Sequence, residues 1–259
     1  MAERVLITGA SSGLGAEFAR IFAREGYDLV LVARSLDKME ALRQELSPTG
    51  VEITVIPMDL AKVDAAKELL AKTEEAGLPV DILINNAGFG HVGPLVGSDW
   101  SRQKEMMDLN MEALVQLTYE FGGRMQERGH GRILNIASIA AFCPGPYMSL
   151  YYASKSFVLS FSQAVAEELK NQGITVTALC LGPTKTGFEA AANLQESRMF
   201  SFFKPDNAAA VANTGYKALM RGKVVAFHGA VCYGSNLLSR IAPRIVARKF
   251  SKWINSSRF

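Results

Sequence analysis

Residues 149–157 read SLYYASKSF, which sets Tyr151 four positions and Tyr152 three positions ahead of Lys155. Side chains three or four apart are neighbours on a helix, so either phenol can meet the Lys155 ammonium, and spacing alone leaves both open. A phenol beside an ammonium can move a proton. Free tyrosine, with a pKa of about 10, is a poor acid/base at neutral pH, and bringing it down to about 7 or 8 requires roughly 3 to 4 kcal/mol of preference for phenolate. One ammonium about 4 Å away is worth about 4 kcal/mol at an effective dielectric near 20. The commoner meaning of such a pair is a snorkelling lysine beside a buried ring. The pair gains chemical meaning only with a second functional group beside it.

A second candidate is TGASSGLG, Thr8 to Gly15, which follows the apolar run VLITG and leads into a stretch carrying Phe18, Ile21 and Phe22. Glycine allows a tight turn with close backbone approach, and a helix N-terminus offers unpaired N–H groups to a pyrophosphate. The glycine spacing is G-x-x-x-G-x-G and departs from the common G-x-G-x-x-G. Leu14 and Gly15 stand where a Walker loop has Lys and Ser/Thr. At the end of the second apolar run an acidic residue would hold the ribose 2′-OH of NAD, and a basic one the 2′-phosphate of NADP. Here LVARSLDK puts Arg34 at that point and Lys38 a turn later, with Asp37 arriving late. The pattern favours NADP(H).

Seven β-rich apolar runs can position these groups: residues 5–9, 28–33, 51–58, 81–88, 132–138, 174–182 and 224–228. Helix-like stretches with apolar residues at three- and four-residue steps lie between them. Such alternation implies an α/β fold with a parallel sheet covered by helices on both faces. The 259 residues, without repeats or low-complexity linkers, read as one doubly wound domain spanning 1–259. Cys143, Cys180 and Cys232 are far apart and form no C-x-x-C pair, which points away from metal sites and disulfides and towards a reducing, cytoplasmic setting. The first apolar run begins by residue 4, which leaves no space for a secretory leader. Residues 133–154 carry no charge, but Asn135, Pro144, Gly145 and Pro146 argue for strand and loop over a membrane span.

TGASSGLG, MDL with Asp59, NNAG at Asn85 to Gly88, LN with Asn110, Ser138, YYASK and LGPTKT occur in one order. Together they make the chain similar, from Val5 to about Phe227, to the classical short-chain dehydrogenase/reductase family. Leu181 departs from it, standing where the family has proline, while Thr186 keeps the motif's threonine position. The resemblance implies a Rossmann-type sheet in the order 3-2-1-4-5-6-7. It implies that Gly9, Ser11, Ser12, Gly13, Leu14 and Gly15 wrap pyrophosphate and ribose and that Arg34 and Lys38 take the 2′-phosphate. Asp59 and Leu60 would then edge the adenine, Asn86, Ala87 and Gly88 the cofactor floor, and Gly182, Thr184 and Thr186 the nicotinamide end. Tyr151 becomes the acid/base, with Lys155 lowering its pKa and holding the ribose. Ser138 holds the substrate oxygen, Asn110 supports a proton path, and Tyr152 is lining or packing. The implied activity is NADP(H)-dependent interconversion of a carbonyl and an alcohol, in a homodimer or homotetramer. A cofactor-binding sensor without catalysis is the rival, and it needs no such complete set.

The segment 187–206 matches the family's variable substrate lid. Its Phe188, Leu194, Met199, Phe200, Phe202 and Phe203 point to an apolar substrate. Phe89, Phe142, Tyr147 and Met148 are candidates for the same pocket, and His91, just after NNAGFG, could touch substrate. Residues 207–259 contain nine basic side chains and no acidic one, against 19 and 25 in residues 1–206. The basic amphipathic segment 236–259 is expected to start a helix at Pro243 and to dock an apolar row of Leu238, Ala242, Val246, Phe250 and Ile254 on the body of the protein. An anionic partner, such as a membrane surface reached through 240–254, is the alternative. One short basic segment without an aromatic platform does not read as a nucleic-acid site.

Overall fold

The computed structural model describes residues 2–186 and 204–256. Strands β1 (Arg4–Thr8), β2 (Asp28–Ala33), β3 (Ile53–Pro57), β4 (Ile82–Asn85), β5 (Gly131–Ile136), β6 (Ile174–Cys180) and β7 (Val225–Phe227) form one parallel sheet in the order β3-β2-β1-β4-β5-β6-β7. This is the doubly wound α/β architecture that the alternating sequence implies. Successive strand side chains point to opposite faces, and both faces are covered. Val5 and Ile7 of β1 join Leu29, Leu31, Ile84 and Leu179 under helices α1 (Gly13–Arg24) and α2 (Leu36–Leu46). Leu6 points the other way, with Val30, Leu83 and Ile133, towards α3 (Ala65–Glu75), with Leu69 and Leu70, and the later Phe121 and Met125.

Further along run α4 (Trp100–Met107), α5 (Leu114–Arg128), α6 (Ser149–Leu169), α7 (Ala208–Met220), α8 (Gly229–Ile241) and α9 (Arg244–Asn255). Helix α7 lies on α1, where Phe22 makes edge contacts with Tyr27 and Tyr216 at centroid distances of 5.3 and 5.2 Å. Residues 133–154 resolve into the end of β5, a short 3₁₀ turn Ile139–Phe142 and the start of α6. Among the described residues no helix is long and apolar enough to cross a membrane.

Two features depart from the sequence expectations, and most of one expected segment lies outside the described residues. Between α4 and α5 the chain widens into a π-helical turn, Asp108–Ala113, which no periodicity signals. Residues 187–203 of the expected lid, including Phe188, lie outside the described residues, but a parallel pair, Thr184–Lys185 against Asp206–Asn207, joins the two flanks. Of the expected C-terminal apolar row Ile254 docks, whereas Leu238, Val246 and Phe250 do not. Helix α8 ends at Ile241, α9 starts after Pro243, and Leu238, Val246 and Phe250 remain 59, 56 and 45% exposed. The buried face of α9 is Ser251, Ile254 and Asn255, with Asn255 Nδ2 donating to Pro146 O at 3.0 Å and Ser251 Oγ meeting Cys143 Sγ at 3.2 Å.

A buried polar ladder crosses the centre of the sheet. Asn85 Nδ2 donates to Asn135 Oδ1 (2.9 Å) and Thr118 Oγ1 (3.2 Å), and Asn135 Nδ2 donates to Ser162 Oγ (2.9 Å). It ties β4 and β5 to α5 and α6. Removing one member strands its partners without water, at a cost of about 1–3 kcal/mol per orphaned group. Asn135→Ala is therefore expected to destabilise the protein by about 2–4 kcal/mol in urea unfolding, and Thr118→Val, which deletes one 3.2 Å contact, by about 1 kcal/mol. Equal losses would mean that the ladder does not act through its central asparagine.

Candidate active site

The strand order reverses direction at β1 and β4, which opens a crevice at their carboxyl ends, where open α/β sheets bind ligands. One residue pair fixes its floor. Thr8 Oγ1 donates to Ile84 O (3.1 Å) and accepts from Asn86 N (2.9 Å) and Ala87 N (3.0 Å). Asn86 Nδ2 returns bonds to Thr8 O (2.8 Å) and Gly9 O (3.3 Å). The turn above this clamp needs glycine. Gly9 and Gly13 have φ of +65° and +55°, and an added Cβ would sit 2.8 Å from Asn86 Nδ2 or 2.6 Å from Thr186 O. Helix α1 begins here with no side-chain cap at Ser12 and no acidic residue in its first turn, so its N–H groups and positive end are open to an anion.

A cleft of about 370 Å³ follows from this arrangement. It brings together Gly9, Ser11, Ser12, Gly13 and Leu14 of the turn, Arg34 after β2, Asp59 and Leu60 after β3, and Asn86, Ala87 and Gly88 after β4. Ser138, Tyr151 and Lys155 line it, as do Gly182, Thr184 and Thr186. Gly15 lies beneath the turn, where a Cβ would collide with the Gly9 carbonyl, and Lys38 is exposed on α2 away from the cleft walls. The glycine cradle and the uncapped helix end suit a dinucleotide's pyrophosphate.

The structure distinguishes the two tyrosines. The Tyr151 hydroxyl is hydrogen-bonded to Ser138, whereas the Tyr152 hydroxyl faces Asn255 Oδ1 at 3.5 Å and its ring packs against Gly145. Ser138 is held at the end of β5 because its Oγ also accepts from Ala140 N at 3.1 Å. Lys155 Nζ donates to Ile136 O at 2.8 Å and lies 5.8 Å from the Tyr151 ring centroid. The electrostatics run against the estimate from spacing. Burial pushes the Tyr151 phenol up to about 12, partly opposed by the Ser138 bond, and burial lowers the Lys155 ammonium to about 8. In the protein alone burial, not Lys155, sets the acidity of the phenol, with the Ser138 bond as the opposing influence.

Asn110 does not line the cleft. Its Oδ1 accepts from Phe89 N (3.1 Å) while its Nδ2 donates to Phe89 O (2.9 Å) and Ser154 Oγ (3.3 Å). The π-helical turn aims this amide inwards, and an added Cβ on Gly88 would stand 2.9 Å from its Oδ1. Of the substrate candidates, Phe89 and Met148 line the cleft. His91 and Tyr147 do not, and Phe142 instead packs on Phe227, at a centroid distance of 6.0 Å. Sequence reasoning missed Arg102 and Glu105. Arg102 stacks its guanidinium over Phe89, 3.7 Å from the ring centroid, and Glu105 bridges Arg102 (2.7 Å) and Arg34 (3.0 Å). Their three-residue spacing at the start of a helix was the available signal, but only the tertiary structure sets them beside Arg34.

Comparison with known proteins agrees with this geometry. A family model described as short chain dehydrogenase matches residues 3–197. The ketoacyl reductase HetN of Nostoc sp. is 31% identical over 83% of this chain and 74% of its own length. A short-chain dehydrogenase from Sphingobium yanoikuyae, solved in complex with NADPH, superposes with a TM-score of 0.82 at 32% identity, over 92% of this chain and 93% of that one. The bulky-bulky ketone specific alcohol dehydrogenase from Comamonas testosteroni gives 0.78 at 31% identity, over 92% of both chains. With the glycine turn, the β1/β4 crevice and the Ser138–Tyr151–Lys155 group on its walls, the chain belongs to the short-chain dehydrogenase/reductase family, NAD(P)-using oxidoreductases that interconvert alcohols and carbonyl compounds.

Proposed function

We propose that this protein is an NADP(H)-dependent reductase of an apolar ketone or aldehyde, with Tyr151 as the acid/base. The observation that carries the reading is the meeting of the Tyr151 hydroxyl, Ser138 and the buried Lys155 ammonium on the wall of a cleft that has Arg34 at its far end. A bound nicotinamide cofactor supplies or accepts the hydride. Ser138 Oγ holds the substrate oxygen next to the Tyr151 hydroxyl, and the phenol donates its proton as negative charge develops there. A phenol pushed up to about 12 keeps that proton at neutral pH, which suits the reducing direction. Lys155 stabilises the phenolate left behind, and the Ile136 carbonyl fixes where its charge sits. Asn110 is a positioning residue that holds Phe89 against α6 through Ser154.

Arg34 is the 2′-phosphate ligand in this reading, released from Glu105, and the NADPH complex of the Sphingobium relative supports the same preference. Phe89, Met148 and Tyr152 on the cleft wall support an apolar substrate, as does the ketone class of the Comamonas relative. Both faces of the sheet are covered by elements of one chain, which supports reading residues 1–259 as one domain. Tyr119 on α5 and Phe157 on α6, 77 and 39% exposed, support a homo-oligomer paired through these helices. The three free cysteines fit a reducing compartment such as the cytoplasm.

Three results are expected. NADPH should raise the melting temperature more than NADH at equal concentration, and Arg34→Ala should remove the difference by weakening NADPH roughly 10- to 100-fold, as for a lost charge-assisted bond. Equal protection of the wild type would sink the NADP assignment. In stopped-flow and steady-state assays Tyr151→Phe should lose turnover while still binding NADPH, with Tyr152→Phe close to wild type, and the reverse pattern would move the chemistry to Tyr152. Lys155→Met should be more stable than wild type at pH 7. Lys155 is held down from 10.5 to about 8, equivalent to about 3 kcal/mol, of which the orphaned Ile136 carbonyl offsets about 1. Between those two pH values the unfolded chain binds more protons than the native one, so wild-type stability rises and the variant's advantage shrinks. Melting curves at pH 7 and pH 10 check this.

A further inference from the structure

Helices α8 and α9 present a surface that the chemistry at Tyr151 does not use. Leu237, Leu238 and Ile241 of α8 are 56, 59 and 76% exposed, and Ile245 and Val246 of α9 are 52 and 56% exposed. They flank the break at Ala242 and Pro243, so two exposed apolar faces meet at one corner. On an ideal helix Ile245, Val246, Phe250 and Trp253 share an arc of about 140°. The last two rings stack on each other with centroids 6.0 Å apart. Scattered apolar residues on a surface are ordinary, but exposed apolar arcs on two successive helices, on either side of one break, point to an interaction site.

The charges around this patch are of one sign. Arg240, Arg244, Arg248, Lys249 and Lys252 are all exposed, and none of them has an ion-pair partner among the described residues. From Asn207 to the C-terminus the sequence contains no acidic residue that could oppose them. Arg244, Arg248 and Lys252 follow four-residue steps along one flank of α9, beside the apolar arc.

We propose that α8 and α9 form a docking surface for an anionic lipid bilayer. Apolar side chains bordered by cations match acyl chains bordered by anionic headgroups, and a helix of this kind lies in the interface plane instead of crossing it. Complementarity of charge selects this occupant. A second copy of the chain would bring the same cations face to face, and a nucleic acid would leave the Leu, Ile and Val side chains unmatched. Helix α9 is held to the body through Ser251, Ile254 and Asn255, with Asn255 between Pro146 and Tyr152. Tyr152 lines the cleft, so the residue that anchors α9 also touches the cleft wall.

Sedimentation of the full chain with vesicles of phosphatidylcholine, alone or mixed with phosphatidylglycerol, tests this surface. Binding is expected on the anionic vesicles, falling with added salt. A triple variant, Arg244→Gln, Arg248→Gln and Lys252→Gln, should weaken it on the order of 100-fold. A second variant, Ile245→Ser with Val246→Ser, should also release the protein. Both should keep the wild-type melting temperature and the wild-type NADPH affinity. Absence of wild-type binding, or equal binding to neutral and anionic vesicles, overturns the proposal. So does a change of oligomeric state in these variants without vesicle binding by the wild type, which would identify a second copy as the occupant.

Discussion

The site depends on a single clamp between the carboxyl ends of β1 and β4. A parallel sheet ends with carbonyls and N–H groups that no neighbouring strand satisfies, and at the reversal of strand order these ends diverge. Thr8 and Asn86 satisfy them reciprocally, with two backbone N–H groups on one hydroxyl and one side-chain amide on two carbonyls. The glycine turn then has a fixed base, the cofactor floor after β4 a fixed height, and the distance between them leaves the cleft. Side chains further out inherit their positions from this frame. Ser138 follows β5, one strand beyond, by two residues, and Asn110 grips the chain that leaves the clamp at Phe89.

Much of this frame was legible because it is written in local signals. Seven apolar runs became seven strands, since a strand buried on both faces must be apolar along its whole length. The glycine turn, Arg34 and NNAG sit at strand ends, and the tyrosine–lysine pair in the first two turns of α6, where the fold leaves little choice of place. What was not legible arises from tertiary approach. The π-helical turn at Asn110 has no periodicity of its own. Glu105, about seventy residues after Arg34, meets it only in the tertiary structure and joins it to Arg102. The phenol's acidity could not be read either, because spacing gives the attraction of an ammonium but says nothing of the water both groups lose.

That loss of water runs through the chemistry as well as the stability. Lys155 would be better solvated almost anywhere else, and its single bond to Ile136 O replaces only part of a hydration shell. A charge kept under such tension has little room to relax, so it acts at full strength on whatever negative charge forms next to it. The polar ladder of Asn85, Asn135 and Ser162 ties β5, which leads into Ser138, to α6, which carries Tyr151 and Lys155.

The small parallel pair of Thr184–Lys185 with Asp206–Asn207 has a different consequence. It brings together two points far apart in sequence with four residues, on the rim of the cleft and outside the main sheet. The two flanks of residues 187–203 are thereby fixed to each other. Closing a longer or shorter insert at such terminals changes the free energy by only about 0.6 kcal/mol per doubling of length. An insert of another length between these flanks would therefore leave the sheet and the Thr8–Asn86 clamp as they are.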